Sequence, residues 1–182
     1  MKLTAAENEL FFDLYHSLLL FTNQQRRIFP RLFTRRGLKD ASLHQFKILR
    51  GTLYQHINLL DEFIVQNPFH FSATELDIVA DWKRSILGRF FVFLETTDCT
   101  IFLSNIKPIK AYGVVALNKN FSAIFQEPLP IYIETVLLPF ANKIITDGIF
   151  SRYRLNFGDG FTRNLQQSYQ KALDQWGLIT FI

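Results

Sequence analysis

The chain has 182 residues, a net charge of +4, a mean hydropathy of +0.08 and 48% hydrophobic residues. A chain of that length can bury about two thirds of its unfolded surface, so one folded domain is expected and intrinsic disorder is excluded. A single cysteine, Cys99, excludes an intramolecular disulfide and a cysteine-based zinc cluster.

Phenylalanine is unusually frequent, with 20 copies against one Met and two Trp. Some of these rings are expected on an interface, a groove or a contact between copies of the chain, with a Phe-for-Leu exchange in the core as the competing explanation. Glu7, Glu9 and Asp13 fall where a secretory signal would be apolar. Apolar runs such as Ile131 to Phe140 carry a charge or a proline and fall short of a membrane span, about 18 residues. The expectation is a cytoplasmic protein without membrane contact.

In chain order, Thr4 and Glu7 form a capping box ahead of a stripe of Leu10, Leu14, Leu18 and Phe21. Pro30 and Gly37 interrupt the next segment, so Arg26 to Asp40 reads as a loop or a short broken helix. Ser42 caps a second helix. Phe46, Leu49, Leu53, Ile57, Leu60 and Ile64 mark its buried face, and Asn67-Pro68 ends it. Ser72 and Glu75 form another capping box, with Leu76, Val79 and Trp82 on one face of a short helix.

From Gly88 the period changes to two. Arg89 to Glu95 and Thr100 to Ser104 read as a hairpin, Lys110 to Leu117 as a third strand, and Phe121 to Phe125 as a helical turn. Ile131 to Leu138 and Lys143 to Thr146 are further strands, and Arg152 to Phe157 adds a sixth. Gly158-Asp159-Gly160 opens a last helix with a stripe of Phe161, Leu165, Tyr169, Ala172 and Trp176, stopped at Gly177. The apolar tail Leu178 to Ile182 is expected to dock as a strand. The fold class is α+β: a helical part over residues 1–85, then over 86–182 a mainly antiparallel sheet of about five or six strands and a covering C-terminal helix.

Several strings carry a resemblance: Asn67-Pro68-Phe69 running into Ser72 to Val79, then Trp82-Lys83, Ala111-Tyr112-Gly113-Val114, the Gly148 region and Gly177 to Thr180. Over about residues 60–182 the chain is similar to a family of uncharacterised bacterial proteins. The strings are caps, turns and strand cores, so the resemblance implies no activity and carries no functional residue.

Charge layout points toward a partner. Arg26, Arg27, Arg31, Arg35, Arg36, Lys39, Lys47 and Arg50 lie between Leu14 and Leu60 with one acid, Asp40. Asp61 to Asp81 carries five acids and no Lys or Arg. Arg forks onto phosphate oxygens, and the interleaved Phe29 and Phe33 could stack on unpaired bases. The expected function is a non-enzymatic module binding nucleic acid through this segment. A solvated loop, or pairing with the acidic stretch, is the competing explanation. A scaffold or regulatory subunit docking a protein through Phe is the second reading, and a metal-dependent nuclease using Glu134, Lys143 and Asp147 the third.

Other constellations are weaker. Gly158-Asp159-Gly160 with Arg163 lacks the spacing of a phosphate loop and reads first as a turn. His16, His44, His56 and His70 all lie in the helical part, where His44 and His56 are too far apart along one helix to bind one metal, and Cys99 has no histidine in the β-rich part. No cofactor, metal site or catalytic residue is assigned.

Overall fold

The computed structural model describes residues 1–32, 34–155 and 157–182. The chain divides into two compact units, residues 6–84 and residues 1–5 together with 85–182. Among the described residues no helix is long and apolar enough to cross a membrane.

The helical unit contains α1 (Ala5–Arg26), α2 (Arg35–Lys39), α3 (Leu43–Gln55), α4 (Leu59–Gln66) and α5 (Ala73–Asp81), with 3-10 turns at Pro30–Leu32 and Trp82–Arg84. The expected stripe of α1 is buried at Leu14, Leu18 and Phe21. Ser42 caps α3 as expected, in a capping box completed by Gln45, and the expected capping box forms at Ser72/Glu75. Asn67 takes a left-handed conformation at the end of α4, and its side chain bridges both backbone groups of Phe71. One expectation fails. The stripe from Phe46 to Ile64 is not one helix, because the chain breaks at residues 56–58, and Ile57 is 42% exposed. His56 leaves the helical region there, and the Asn58 side chain hydrogen-bonds Glu62 in the new first turn. Inside this unit the rings of Phe11, Tyr15 and Trp82 meet at 5.4–5.9 Å.

The second unit contains β1 (Ile86–Glu95), β2 (Thr100–Ser104), β3 (Ala111–Val114), α6 (Phe121–Phe125), β4 (Ile131–Phe140), β5 (Lys143–Thr146), β6 (Ser151–Tyr153), α7 (Asp159–Trp176) and β7 (Leu178–Ile179). Its sheet is a closed barrel. The order runs β1-β2-β3-β5-β4, and β4 pairs back onto β1 along Ile86–Val92. Pairing is antiparallel except where β3 meets β5 and β7 in parallel. β6 adds to β4, and β7 adds to β3. A register irregularity between Val92 and Leu94 bends β1 at the point where it leaves β4 and continues along β2.

Period-two alternation fills this barrel. Phe90, Val92, Phe102, Tyr112, Val114, Ile131, Ile133, Leu137 and Ile144 form one buried cluster, joined by Phe121 and Phe125 of α6. On the outside, α7 lies over β2 and β3: Leu165 and Ala172 pack with Phe93, Ile101, Leu103 and Ala111. Phe161 and Trp176, at the two ends of the expected α7 stripe, are 37% and 48% exposed, so the helix is anchored at its middle.

Candidate nucleic-acid interface

The basic segment is shaped by a residue that its charge pattern does not reveal. Asn23, fully buried near the end of α1, donates to the carbonyls of Phe29 and Leu32 at 3.0 Å and accepts from the Phe29 N–H at 2.8 Å. One amide thus fixes the reversal that follows the helix. Gly37 tightens the next step. A Cβ there would lie 2.7 Å from the carbonyl oxygen of Arg31, so only glycine lets α2 start this close to the 3-10 turn.

This geometry splits the eight cations. Arg26, Arg27 and Arg31 are exposed around the reversal and make no ion pair among the described residues. Arg26 lies in the last turn of α1, where the helix dipole favours a cation. Arg35 is committed internally. It reaches Asp13 at 2.7 Å and the Ser17 hydroxyl at 3.0 Å, and its guanidinium sits 5.1 Å from the Phe69 ring centre. Arg36 and Lys39 are exposed on the rim of a cleft of about 690 Å³ that also holds Glu9, Asp13 and His16. Lys47 is half-buried, and Arg50 is only 4% exposed, out of reach of a phosphate backbone. Phe29 is half-buried beneath its tether to Asn23, and Phe33 lies outside the described residues.

Burial pushes the His16 imidazole below its ordinary pKa; Asp13 opposes that shift and Lys39 adds to it. The cleft is therefore a mixed-charge site, whereas the reversal at residues 26–31 is uniformly cationic.

Four acids of the acidic stretch have other partners. Asp61 pairs with Lys83, Asp81 pairs with Arg84 at 2.7 Å, Glu62 accepts from Asn58, and Glu75 caps α5 through Ser72. Within the basic segment, Arg35 draws its acid from elsewhere, Asp13 of α1.

The other candidates divide by environment. Glu134 lies on the outer face of β4 beside Arg89, 3.5 Å away, and accepts from the Tyr153 hydroxyl. Asp147 is buried and accepts from the Thr135 hydroxyl and the Ile149 N–H, each at 3.0 Å. Glu134 and Thr135 are successive residues of one strand, so the two carboxylates serve opposite faces of it. Among the described residues no three His, Cys, Asp or Glu side chains gather as a metal-holding group. Gly158 is the N-cap of α7 and makes no side-chain cap bond. Cys99 is buried beside Gly113 and Thr96.

Nine of the described phenylalanines are core. Phe11, Phe21, Phe63, Phe90, Phe93, Phe102, Phe121, Phe125 and Phe140 are all buried. The outer face of β1 is different: Phe91 stacks on Tyr132 at 4.6 Å, and Phe157 and Phe161 lie 5.9 and 5.4 Å from it. Phe91, Tyr132, Tyr153 and Phe157 are half-buried, and Phe161 is exposed. A comparison with protein-family profiles, curated proteins and solved structures finds no match to this chain.

Proposed function

We propose that this chain is a non-enzymatic interaction module that binds nucleic acid as a polyanion through the cationic reversal at Arg26, Arg27 and Arg31, with Arg36 and Lys39 alongside. The observation supporting this reading is that the first three side chains are exposed and without an ion pair among the described residues, while Asp61, Glu62, Glu75 and Asp81 have partners of their own. Surface ion pairs contribute only about 0–1 kcal/mol each, so stability gives little reason to concentrate like charges there. Phosphates supply the missing counter-charge and release their condensed cations on binding.

Each duplex phosphate neutralised contributes about −0.9 to the slope of log affinity against log salt. Replacing Arg26, Arg27 and Arg31 with Gln should flatten that slope by about 2.7 if each contacts one phosphate. An unchanged slope in a folded variant refutes the assignment.

A further inference from the structure

Register places an ordered aromatic surface on the barrel. Phe91 of β1 lies opposite Tyr132 of β4, and Tyr132 lies opposite Tyr153 of β6. The next outward row is Arg89, Glu134 and Ser151. Neighbouring strands are about 4.8 Å apart, so the three rings stand side by side across three strands. Their centres are 4.6 and 5.3 Å apart, and Phe161 continues the row beyond Phe91 at 5.4 Å. The inward residues of the same strands, Phe90, Val92, Ile131 and Ile133, already fill the barrel. The outer rings are thus surplus to that core.

Polar contacts hold these rings in place. The Asn105 amide donates to the Tyr132 hydroxyl at 2.7 Å, and the Tyr153 hydroxyl donates to Glu134 at 3.3 Å. Arg89 lies 5.0 Å from the Tyr153 ring centre and pairs with the same carboxylate. Glu134 is therefore matched by its neighbouring arginine. Arg154 and Arg163, in the segment that carries Tyr153, Phe157 and Phe161, are exposed and make no ion pair among the described residues.

We infer that the outer face of β1, β4 and β6 is a stacking platform for the unpaired bases of a single-stranded nucleic acid. Planar bases match a row of half-exposed rings at these spacings, and the arginines match the phosphates between them. A neutral sugar polymer would use the rings and leave the cations unmatched. The strand order β1-β2-β3-β5-β4 closing on β1, with a helix between β3 and β4, is the connectivity of oligonucleotide- and oligosaccharide-binding barrels. Such barrels present the face of strands 2 and 3 to their ligands, and here α7 covers that face. The open aromatic surface is displaced to β1, β4 and β6.

The inference shares with the proposed function a nucleic-acid ligand, and the two are separable by what is read. The full chain is titrated by fluorescence anisotropy against a labelled oligothymidylate of about 12 nucleotides, and against an abasic chain of equal length with the same phosphates. Stacking predicts that oligothymidylate binds at least about fivefold more tightly than the abasic chain, the effect of one well-stacked base. Tyr132→Leu with Tyr153→Leu keeps apolar bulk and should bring that ratio to one while leaving the abasic affinity in place. Tyr132→Phe should preserve the ratio. Photocrosslinking of a bromodeoxyuridine oligonucleotide should label peptides of β1, β4 or β6. Equal affinity for the two chains in the unmodified protein overturns the platform, as do crosslinks confined to residues 6–84 or tighter binding of maltoheptaose than of the oligonucleotide. A ratio that survives Arg26, Arg27 and Arg31→Gln with an unchanged salt slope would instead overturn the cationic reversal and leave the platform standing.

Discussion

Arg31 and Arg35 carry the same charge four positions apart, yet the fold assigns them opposite roles. Arg35→Gln removes an exposed ion pair with Asp13, a bond to Ser17 and a cation–π contact with Phe69. The ion pair contributes about 0–1 kcal/mol and the ring contact about 0.5–1 kcal/mol, for a loss near ~1 kcal/mol. In a unit of this size, each kcal/mol moves the melting temperature by about 4–8 °C. Arg31→Gln touches none of these partners and should leave the melting temperature within about 4 °C, since exposed substitutions cost within about 0.5 kcal/mol. Binding should separate the variants in the other direction. Arg31→Gln flattens the salt dependence by about 0.9 for duplex DNA, and Arg35→Gln leaves it unchanged. The assay pairs differential scanning fluorimetry with binding measured across a salt series. If Arg35→Gln flattens the slope as much as Arg31→Gln, Arg35 reaches phosphate from its pocket, and the division of the segment is wrong.

Asn23→Leu keeps size but deletes three buried hydrogen bonds, and should cost about 3 kcal/mol, read by denaturant melts, with residues 27–32 losing protection first in hydrogen exchange. Thr135→Val removes a bond to the buried Asp147 carboxylate and should cost about 1.5–3 kcal/mol, whereas Glu134→Gln on the surface should cost under about 1 kcal/mol; equal losses would refute the structural role given to Asp147. The depressed His16 pKa stabilises the fold fully above the unfolded value, and that contribution is lost as pH falls from about 6.5 toward the lower folded value, because the unfolded chain takes up the proton first. His16→Gln should therefore flatten the fall in melting temperature between neutral and mildly acidic pH; an unchanged profile would place that sensitivity elsewhere.

What the sequence made legible was local. Ser42 with Gln45, Ser72 with Glu75, Asn67 before Pro68, and Gly177 each specify a helix end through backbone groups within a few residues. The break at residues 56–58 escaped because Ile57 keeps the apolar rhythm although it points into solvent. Barrel closure escaped for another reason: Val114 pairs with Ile144 and Ile86 with Leu137, and such distant pairings leave no trace in period-two patterning. Phe90 and Phe91 show the same limit. Adjacent identical residues cannot announce which faces the core, and only the register assigns Phe90 to the interior and Phe91 to the outer face. Among the cations, Arg35 and Arg50 looked like Arg26 and Arg31 because charge is visible in a sequence, while its neutralisation and burial come from residues elsewhere in the chain.

The barrel unit is discontinuous. Residues 1–5 belong with 85–182, and Leu3 bonds the backbone of Ala116. On a ribosome residues 1–5 must therefore wait for β3 before they reach their place. Residues 6–84 complete their own contacts in the interval, since a helical unit closes mostly local loops. β1 waits in turn for β4, and β3 for β5 and then β7. During that interval the edge of phenylalanine-rich β1 that β4 will cover is exposed to other chains, although β2 can already pair with its other edge. Synthesis therefore has a vulnerable window that opens at Ile86 and shuts only when β4 has emerged.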